Sequence, residues 1–228
     1  MKKILCLLLM LIIFSLSACK HGDVTKEVQY SYMEALYRPF KNVQELVESA
    51  DIVYIGKVTG ISFQMLDLTT ALPPTKDTED RHIKLHTIYD IDVEIAYKGY
   101  ESKQSKIRML GGIMNYCIEE QLEILKEYSQ EGILVMEEEV NLEIGEIYLV
   151  TLCDFGTGII PTNMFPDQSI YNLHDPFEKH TKNITAKDVI STFGQDKWDE
   201  FWTQWQKDNP KWETWLDKAE VEAELQKN

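Results

Sequence analysis

The feature that most constrains the fold is an alternation of apolar and polar residues between positions 82 and 95. The residues on the apolar side are Ile83, Leu85, Thr87, Tyr89, Ile91, Val93 and Ile95. Most positions between them are histidine, lysine, aspartate or glutamate, with Ile88 as an exception. Because successive side chains of a β-strand point to opposite faces, this period of two predicts one long strand with a buried face and an exposed polar face.

A second predicted strand precedes this one and carries two glycines. It begins with an Ile-Val-Tyr-Ile run at residues 52–55 and continues to about Met65. Gly56 and Gly60 lie inside it, and glycine within a strand often marks a bulge or a tight bend. Bends of this kind allow a sheet to curl, so we predict a small antiparallel barrel.

Shorter elements complete this mainly β prediction. Residues 42–50 predict a helix before the first barrel strand, with Asn42 as its cap and Glu45 three residues later. A second helix is predicted over residues 118–130, where apolar residues recur at helical spacing before Gly132. Further strands are predicted at residues 106–110, 133–136 and 147–153, with one or two short strands between residues 156 and 173.

The chain changes character after residue 174, and residues 185–228 contain all five tryptophans. One predicted helix places Trp198, Phe201, Trp202 and Trp205 on a single face, and Asn209-Pro210 ends it before Trp212. We favour packing of this face onto the barrel. A surface for a protein or glycan partner, formed by Trp198, Trp202, Trp205 and Trp212, is the second interpretation, because tryptophan concentrates binding energy. Docking on a membrane surface is the third, and the acidic charge disfavours it.

The N-terminus has the pattern of a targeting segment. Lys2 and Lys3 precede an apolar run at residues 4–14, which is too short to cross a bilayer core of roughly 30 Å. The residues that follow, Leu16-Ser17-Ala18-Cys19, resemble the lipobox of bacterial lipoproteins. The resemblance implies cleavage after residue 18 and acylation of the Cys19 thiol with chains such as palmitate. Two or more chains anchor stably, so the membrane is an expected partner and the mature protein faces outside the cytoplasm.

This interpretation divides the chain into four parts. Residues 1–18 are a signal peptide, 19–40 the lipidated cysteine and a tether, 41–176 the barrel domain, and 177–228 a helical, tryptophan-rich extension. The formal charge is −15, and removal of two lysines with the signal makes it −17. So acidic a surface repels nucleic acid and anionic headgroups, which argues against a nucleic-acid partner and leaves the lipid as the membrane attachment.

Two cysteines remain once Cys19 is assigned to the lipid and Cys6 to the signal peptide. A bridge between Cys117 and Cys153 would close a loop of about 36 residues and stabilise the fold by roughly 3–4 kcal/mol in the chain-entropy model. The alternative is two buried thiols that pack as small apolar groups. The residues alone leave both open. No cysteine or histidine spacing indicates structural zinc.

The order of motifs also resembles known proteins. Residues 50–58 read Ala-Asp-Ile-Val-Tyr-Ile-Gly-Lys-Val, and the alternating strand ends in Tyr97-Lys98-Gly99. Gly111-Gly112 and then the Gly-Glu-Ile-Tyr-Leu-Val run at residues 145–150 follow. This order is similar to exported bacterial lipoproteins of unassigned function and to the OB-like barrel of tissue inhibitors of metalloproteinases, over about residues 42–173. The resemblance implies an OB-like barrel.

The mechanism of those inhibitors does not transfer with the resemblance. They chelate the protease zinc through the free amine and carbonyl of an N-terminal cysteine. Here Cys19 would be lipidated, lies more than twenty residues before the first predicted helix, and is not followed by a Cys-x-Cys motif. Fold similarity alone does not define a site.

Candidate metal ligands lie on the polar side of the long strand. His82 and His86 have HxxxH spacing, but four residues of a strand span about 13 Å, which is too far for one metal ion. Asp90, Asp92 and Glu94 follow at about 7 Å intervals, a spacing in which calcium could bridge two carboxylates with help from a loop. Because no calcium-loop motif accompanies them, we interpret these residues as a solvated strand face and expect no metal or other cofactor.

No catalytic motif stands out. The chain lacks GxSxG, HExxH and a glycine-rich phosphate loop. His174-Asp175 and His180 lie near the end of the predicted barrel, where such residues are usually ordinary surface. We therefore expect a non-enzymatic binding or interaction module of the cell envelope. An enzyme with a site of scattered residues, and a protease inhibitor by barrel analogy, are the alternatives. Clustering of Asp90, Asp92, His174 and His180 in a cleft would favour the enzyme.

Overall fold

The computed structural model describes residues 28–34, 38–100, 102–137, 140–174 and 184–211. The strands are β1 (Tyr30–Met33), β2 (Ile52–Asp67), β3 (Ile83–Lys98), β4 (Gln104–Leu110), β5 (Ile133–Met136), β6 (Ile147–Cys153), β7 (Thr162–Asn163) and β8 (Ile170–Asn172). The helices are α1 (Val43–Ser49), α2 (Ile118–Glu127), α3 (Pro166–Ser169), α4 (Ala186–Ser191) and α5 (Gln195–Asp208). Residues 1–18, Cys19, His180 and Trp212 lie outside the described residues.

Five strands close into a barrel. β3 pairs antiparallel with β2 and β4, and β6 pairs antiparallel with β2 and β7. The parallel pairing of β4 with β7 completes the ring in the order β2-β3-β4-β7-β6. β8 adds to β6, and β1 and β5 form a separate two-stranded parallel sheet. The predicted mainly β fold with a small barrel and C-terminal helices is confirmed, and the closed five-stranded barrel is consistent with the OB-like type.

The two long strands curve because their pairing slips near the glycines. The register between β2 and β3 shifts at Val53/Tyr54, Ile55/Gly56 and Val58/Gly60. A Cβ atom on Gly56 would overlap Cγ2 of Ile91 and come within 3.0 Å of the carbonyl oxygen of Asp92. Gly56 therefore permits a close approach of the strands at a bulge, which confirms the bend expected from the sequence.

The molecule has two apolar cores that share β2. Tyr54 and Val58 point into the barrel interior, where they meet residues of the other barrel strands and of α2. Val53 and Ile55 point outward into a second core built with α1, α4 and α5. The members that fill this outer core include Leu46, Leu149, Tyr171, Val189, Ile190, Trp198 and Phe201. Because both faces are buried at the start of β2, residues 52–55 form a continuous apolar run rather than an alternation.

Short polar contacts fix the segment that leads into the barrel. The Asn42 side chain accepts a hydrogen bond of 2.9 Å from the amide of Glu45, so the predicted cap of α1 is confirmed. The buried Gln168 amide binds both backbone groups of Phe40, with N–H to Oε1 at 2.8 Å and Nε2 to the carbonyl at 3.3 Å. These bonds hold the chain before α1 against the segment that precedes β8.

Two findings differ from the sequence-based expectations. β1 lies within residues 19–40, the range expected to be a tether, and pairs with β5 from Tyr30↔Ile133 onward. Cys153 is a free thiol, so the Cys117–Cys153 bridge is not formed. Cys153 ends β6 and pairs across to Thr162, whereas Cys117 starts α2, which packs on β2 and β5. The half-buried Cys153 packs as a small polarisable group instead.

None of the helices in the described part of the chain is long and apolar enough to span a bilayer.

The two strand glycines provide a matched test of the bulge. We expect Gly56→Ala to lower the free energy of unfolding by about 1–3 kcal/mol, because the new methyl group overlaps Ile91 and approaches strand backbone. At Gly60 a Cβ would meet the Asp90 side chain, most closely a carboxylate oxygen at 3.1 Å, which can rotate away. Gly60→Ala should therefore change stability by no more than about 0.5 kcal/mol. Urea denaturation followed by tryptophan fluorescence measures both, and equal effects would contradict a special role for Gly56.

Candidate functional site

A groove of about 190 Å³ runs between the barrel wall and α5. Its floor is apolar and its rim is polar and acidic. The residues that line the floor are Ile55, Ile95, Ile147, Leu173, Phe201 and Trp205. The residues that line the rim are Glu94, Gly145, Glu146, His174, Gln204, Asp208 and Asn209. The rim thus contains three carboxylates contributed by β3, by the turn before β6 and by the end of α5.

The α5 wall is held in place by contacts on both sides of the groove. Thr185 and Asp188 form a reciprocal capping box at the start of α4, and Gly194, with φ +124°, turns the chain into α5. Phe201 is buried against the outer core. The Trp205 indole Nε1 donates a 2.6 Å hydrogen bond to the carbonyl oxygen of Leu173, just after β8. Because α5 is tied to the barrel in this way, the groove is preformed.

Three tryptophans of α5 form a continuous stack. The ring centroids of Trp198 and Trp202 are 5.6 Å apart with an interplanar angle of 15°, and those of Trp202 and Trp205 are 5.0 Å apart at 12°. Trp198 is only 4% exposed, whereas Trp202 and Trp205 are half-buried. Trp202 has neighbours on both ring faces, so it offers little surface for stacking a ligand. Among Trp198, Trp202 and Trp205, the described members of the predicted partner surface, Trp205 is the one that lines the groove.

The electrostatic environment of the groove is strongly negative. In the described part of the chain, ion pairs form at Arg81–Glu79, Lys106–Asp90 and Lys197–Glu200, and none includes a groove carboxylate. Partial burial raises the pKa of Glu94; the nearby Lys57 ammonium lowers it, and the Asp208 and Asp92 carboxylates raise it. The Asp208 carboxylate accepts a hydrogen bond of 3.0 Å from the Gln204 amide. Among the described residues, Lys57 is thus the cation that lowers the pKa of Glu94, whereas two carboxylates raise it.

His86 does not lie on an exposed polar face, so that expectation is wrong. It is 2% exposed, and its Nδ1 lies 3.0 Å from the carbonyl oxygen of Lys84. The neighbouring Arg108 is itself covered, since its Nε donates to the carbonyl of Ile160 and its guanidinium lies 5.7 Å from the ring centre of Phe155. The loop after β6 thus folds over the outer face of β4 beside His86. The local alternation of apolar and polar residues gives no information about contacts with a segment so distant in the chain.

The other sequence candidates are dispersed. Asp90 and Asp92 line a separate hollow with Tyr100 and Lys106, and Lys106 pairs with Asp90. His174 lines the groove instead, so the clustering of Asp90, Asp92 and His174 expected for an enzyme does not occur. Among the residues that the structure describes, no group of three histidine, cysteine, aspartate or glutamate side chains is placed to hold a metal ion.

Sequence reasoning missed the acidic members of the groove. Glu94 was grouped with Asp90 and Asp92 on one strand face, and neither Glu146 nor Asp208 was singled out. Trp205 and Asp208 are three residues apart on α5 and therefore share one side of it, which was the available local signal. Their position opposite Glu94 depends on how α5 docks on the barrel, and the local pattern contains no information about that.

No protein-family model matches the chain, and no curated protein matches it. The interpretation of the groove therefore rests on its own residues.

The buried His86 predicts a dependence of stability on pH. Burial and the charge of Arg108 lower the pKa of His86 to about 4, from 6.5, although its hydrogen bond to Lys84 raises it. The unfolded chain takes up the proton first as the pH falls. The fold should therefore lose up to about 3 kcal/mol between pH 6.5 and 4, and nothing from this group above pH 7.

Urea denaturation of wild type and His86→Leu at several pH values measures this loss, which should be absent in the variant. His82→Leu is the control, because His82 is not enclosed, and it should keep the wild-type dependence. An unchanged pH dependence in His86→Leu would show that other groups cause it.

Proposed function

We propose that this protein is a lipid-anchored component of the bacterial cell envelope that acts as a non-enzymatic binding module, with the groove between the barrel and α5 as its binding site. The observation that carries the proposal is the composition of the groove, an apolar floor with a few convergent polar groups on a rigid frame. Ligand sites in proteins characteristically have this composition. The resemblance of residues 16–19 to a lipobox supports the anchor, and the closed barrel supports the OB-like resemblance.

The anchor would keep the binding site close to the membrane. From residue 19 to the start of β1 at Tyr30 the chain advances eleven residues. A fully extended chain spans at most about 3.6 Å per residue, so β1 would begin within roughly 40 Å of the lipid. A partner of the groove is therefore expected on or near the same membrane, outside the cytoplasm.

The enzyme alternative has one observation in its favour. A carboxyl group with a raised pKa can act as a general acid, and partial burial together with the nearby Asp208 and Asp92 carboxylates raises the pKa of Glu94. Binding is the better account, because Glu94 and Asp208 are exposed residues at the rim of the groove rather than groups enclosed in a catalytic cleft. The inhibitor alternative gains no support from the groove, because it requires an unmodified N-terminal cysteine.

The lipid anchor is tested on the mature protein from its native membrane. Mass spectrometry should find an N-terminal fragment that begins at Cys19 and carries two or three acyl chains. Cys19→Ala should accumulate unprocessed, whereas Cys6→Ala, within the apolar run, should be processed normally. An unmodified Cys19, or cleavage at another position, would refute the anchor.

The binding site is tested by blocking the groove without altering its charge. Gln204 is exposed on α5 and lines the groove, so Gln204→Trp should fill it and reduce partner recovery at least about fivefold. Thr203→Trp adds the same bulk at the adjacent exposed position, which does not line the groove, and should leave recovery unchanged. The readout is quantitative mass spectrometry of proteins crosslinked to each variant in intact envelopes. Identical partner sets for both variants would remove the groove as the binding site.

A further inference from the structure

We infer that the groove binds a lysine or arginine side chain presented by a partner polypeptide, with the ammonium or guanidinium group held among the carboxylates of Glu94, Glu146 and Asp208. The inference rests on the groove being the binding site proposed above, and it adds the chemical class of the ligand. It is carried by three independent properties of the groove, namely its charge, its apolar floor and its aromatic wall.

The negative charge of the groove indicates that its ligand is a cation. The three rim carboxylates come from separate elements, and none is paired with a cation within the described residues. Lys57, the cation that acts on Glu94, is an exposed residue of β2 and does not line the groove. An anionic or carboxylate-bearing ligand would be repelled here. A cation would gain charge-assisted hydrogen bonds and would relieve the repulsion between Glu94 and Asp208.

The apolar floor of the groove favours a long cationic side chain over a metal ion. Ile95 and Ile147 are half-exposed in the floor, with the buried Ile55 and Leu173 beside them. Lysine and arginine bury their methylene stems along apolar surface while the charged end stays in water. A divalent cation would instead need several oxygens converging at about 2.3–2.6 Å, and the described residues contain no such metal-ready cluster.

Trp205 supplies the third contact. Its indole N–H donates a hydrogen bond to the carbonyl oxygen of Leu173, and the ring of Trp202 stacks on its ring. These two contacts fix the orientation of Trp205 in the groove. A cation near the ring of tryptophan is attracted by the negative face of the π-system. The same stack keeps Trp205 from turning away, so the aromatic wall is ready before a ligand arrives.

The test uses the full chain in detergent micelles, labelled with ¹⁵N so that the indole signal of Trp205 can be followed by NMR. The probe is acetyl-Gly-Lys-Gly-Lys-Gly-amide, and its counterpart replaces both lysines with norleucine, which keeps the stem and removes the charge. We expect the lysine peptide to shift the Trp205 signal in a saturable way, with affinity that falls as salt is raised. The norleucine peptide should leave the signal in place, and equal shifts from both peptides would overturn the inference.

Two double variants test whether the binding of the lysine peptide depends on the carboxylates of the groove or on the overall charge of the protein. Glu94→Gln/Asp208→Asn should weaken the lysine peptide about tenfold. Glu48→Gln/Asp199→Asn removes the same two charges from exposed positions outside the groove, and should change affinity by less than about twofold. Asp199 is a close match for Asp208, because each accepts a side-chain bond from a glutamine four residues earlier on α5. Equal weakening in both variants would indicate general attraction to an acidic protein and would overturn the inference.

Two further outcomes separate this inference from the proposed function. If calcium chloride shifts the Trp205 signal at lower concentration than the peptide does, and displaces the peptide, the groove is a metal site and the inference falls. If Gln204→Trp abolishes partner recovery from envelopes while the lysine peptide fails to bind, the binding site stands and only the cationic ligand is refuted.

Discussion

The burial of both faces at the start of β2, over residues 52–56, is the constraint on which the rest of the structure depends. Its inward residues Tyr54 and Val58 join the barrel interior, and its outward residues Val53 and Ile55 join the helical layer. Residues 53–57 of β2 pair antiparallel with β3 on one side and with β6 on the other, so this first part of the strand has a neighbour along both edges. Since backbone polar groups inside a protein must be hydrogen-bonded, two partners along β2 are a requirement of this burial.

The position of the groove follows from the same arrangement. The outward face of β2 needs a cover, and α4 and α5 provide it through Val189, Ile190, Trp198 and Phe201. The first two turns of α5 pack over the outward face of β2. The last turn, with Trp205 and Asp208, lies beyond that face and lines the groove together with residues of β3 and of the turn before β6. The groove is thus the place where the helical cover ends and the barrel wall is only partly shielded. Its acidic rim reflects surface positions that need not be apolar for folding.

Much of the fold could be predicted because its signals are local. The alternation at residues 83–95, the cap at Asn42, the strand glycines and the helical face of the tryptophans each depend on neighbours within a few positions. The failures share one cause. His86 is buried on a strand face that the alternation predicts to be exposed, and Cys153 is a free thiol that does not pair with Cys117. Both outcomes depend on segments tens of residues away, which periodicity does not describe.

By itself the sequence determined the element types, the bends of the long strands, the shared face of the α5 tryptophans and the acidic charge. It also supplied the N-terminal pattern on which the proposed anchor rests. The tertiary structure decided that the barrel closes through the short β7, that β1 joins β5, and that Glu94, Glu146 and Asp208 line one groove together with Trp205. The physical reason is that backbone geometry repeats over two to four residues, whereas a site forms where elements distant in the chain are brought together by packing.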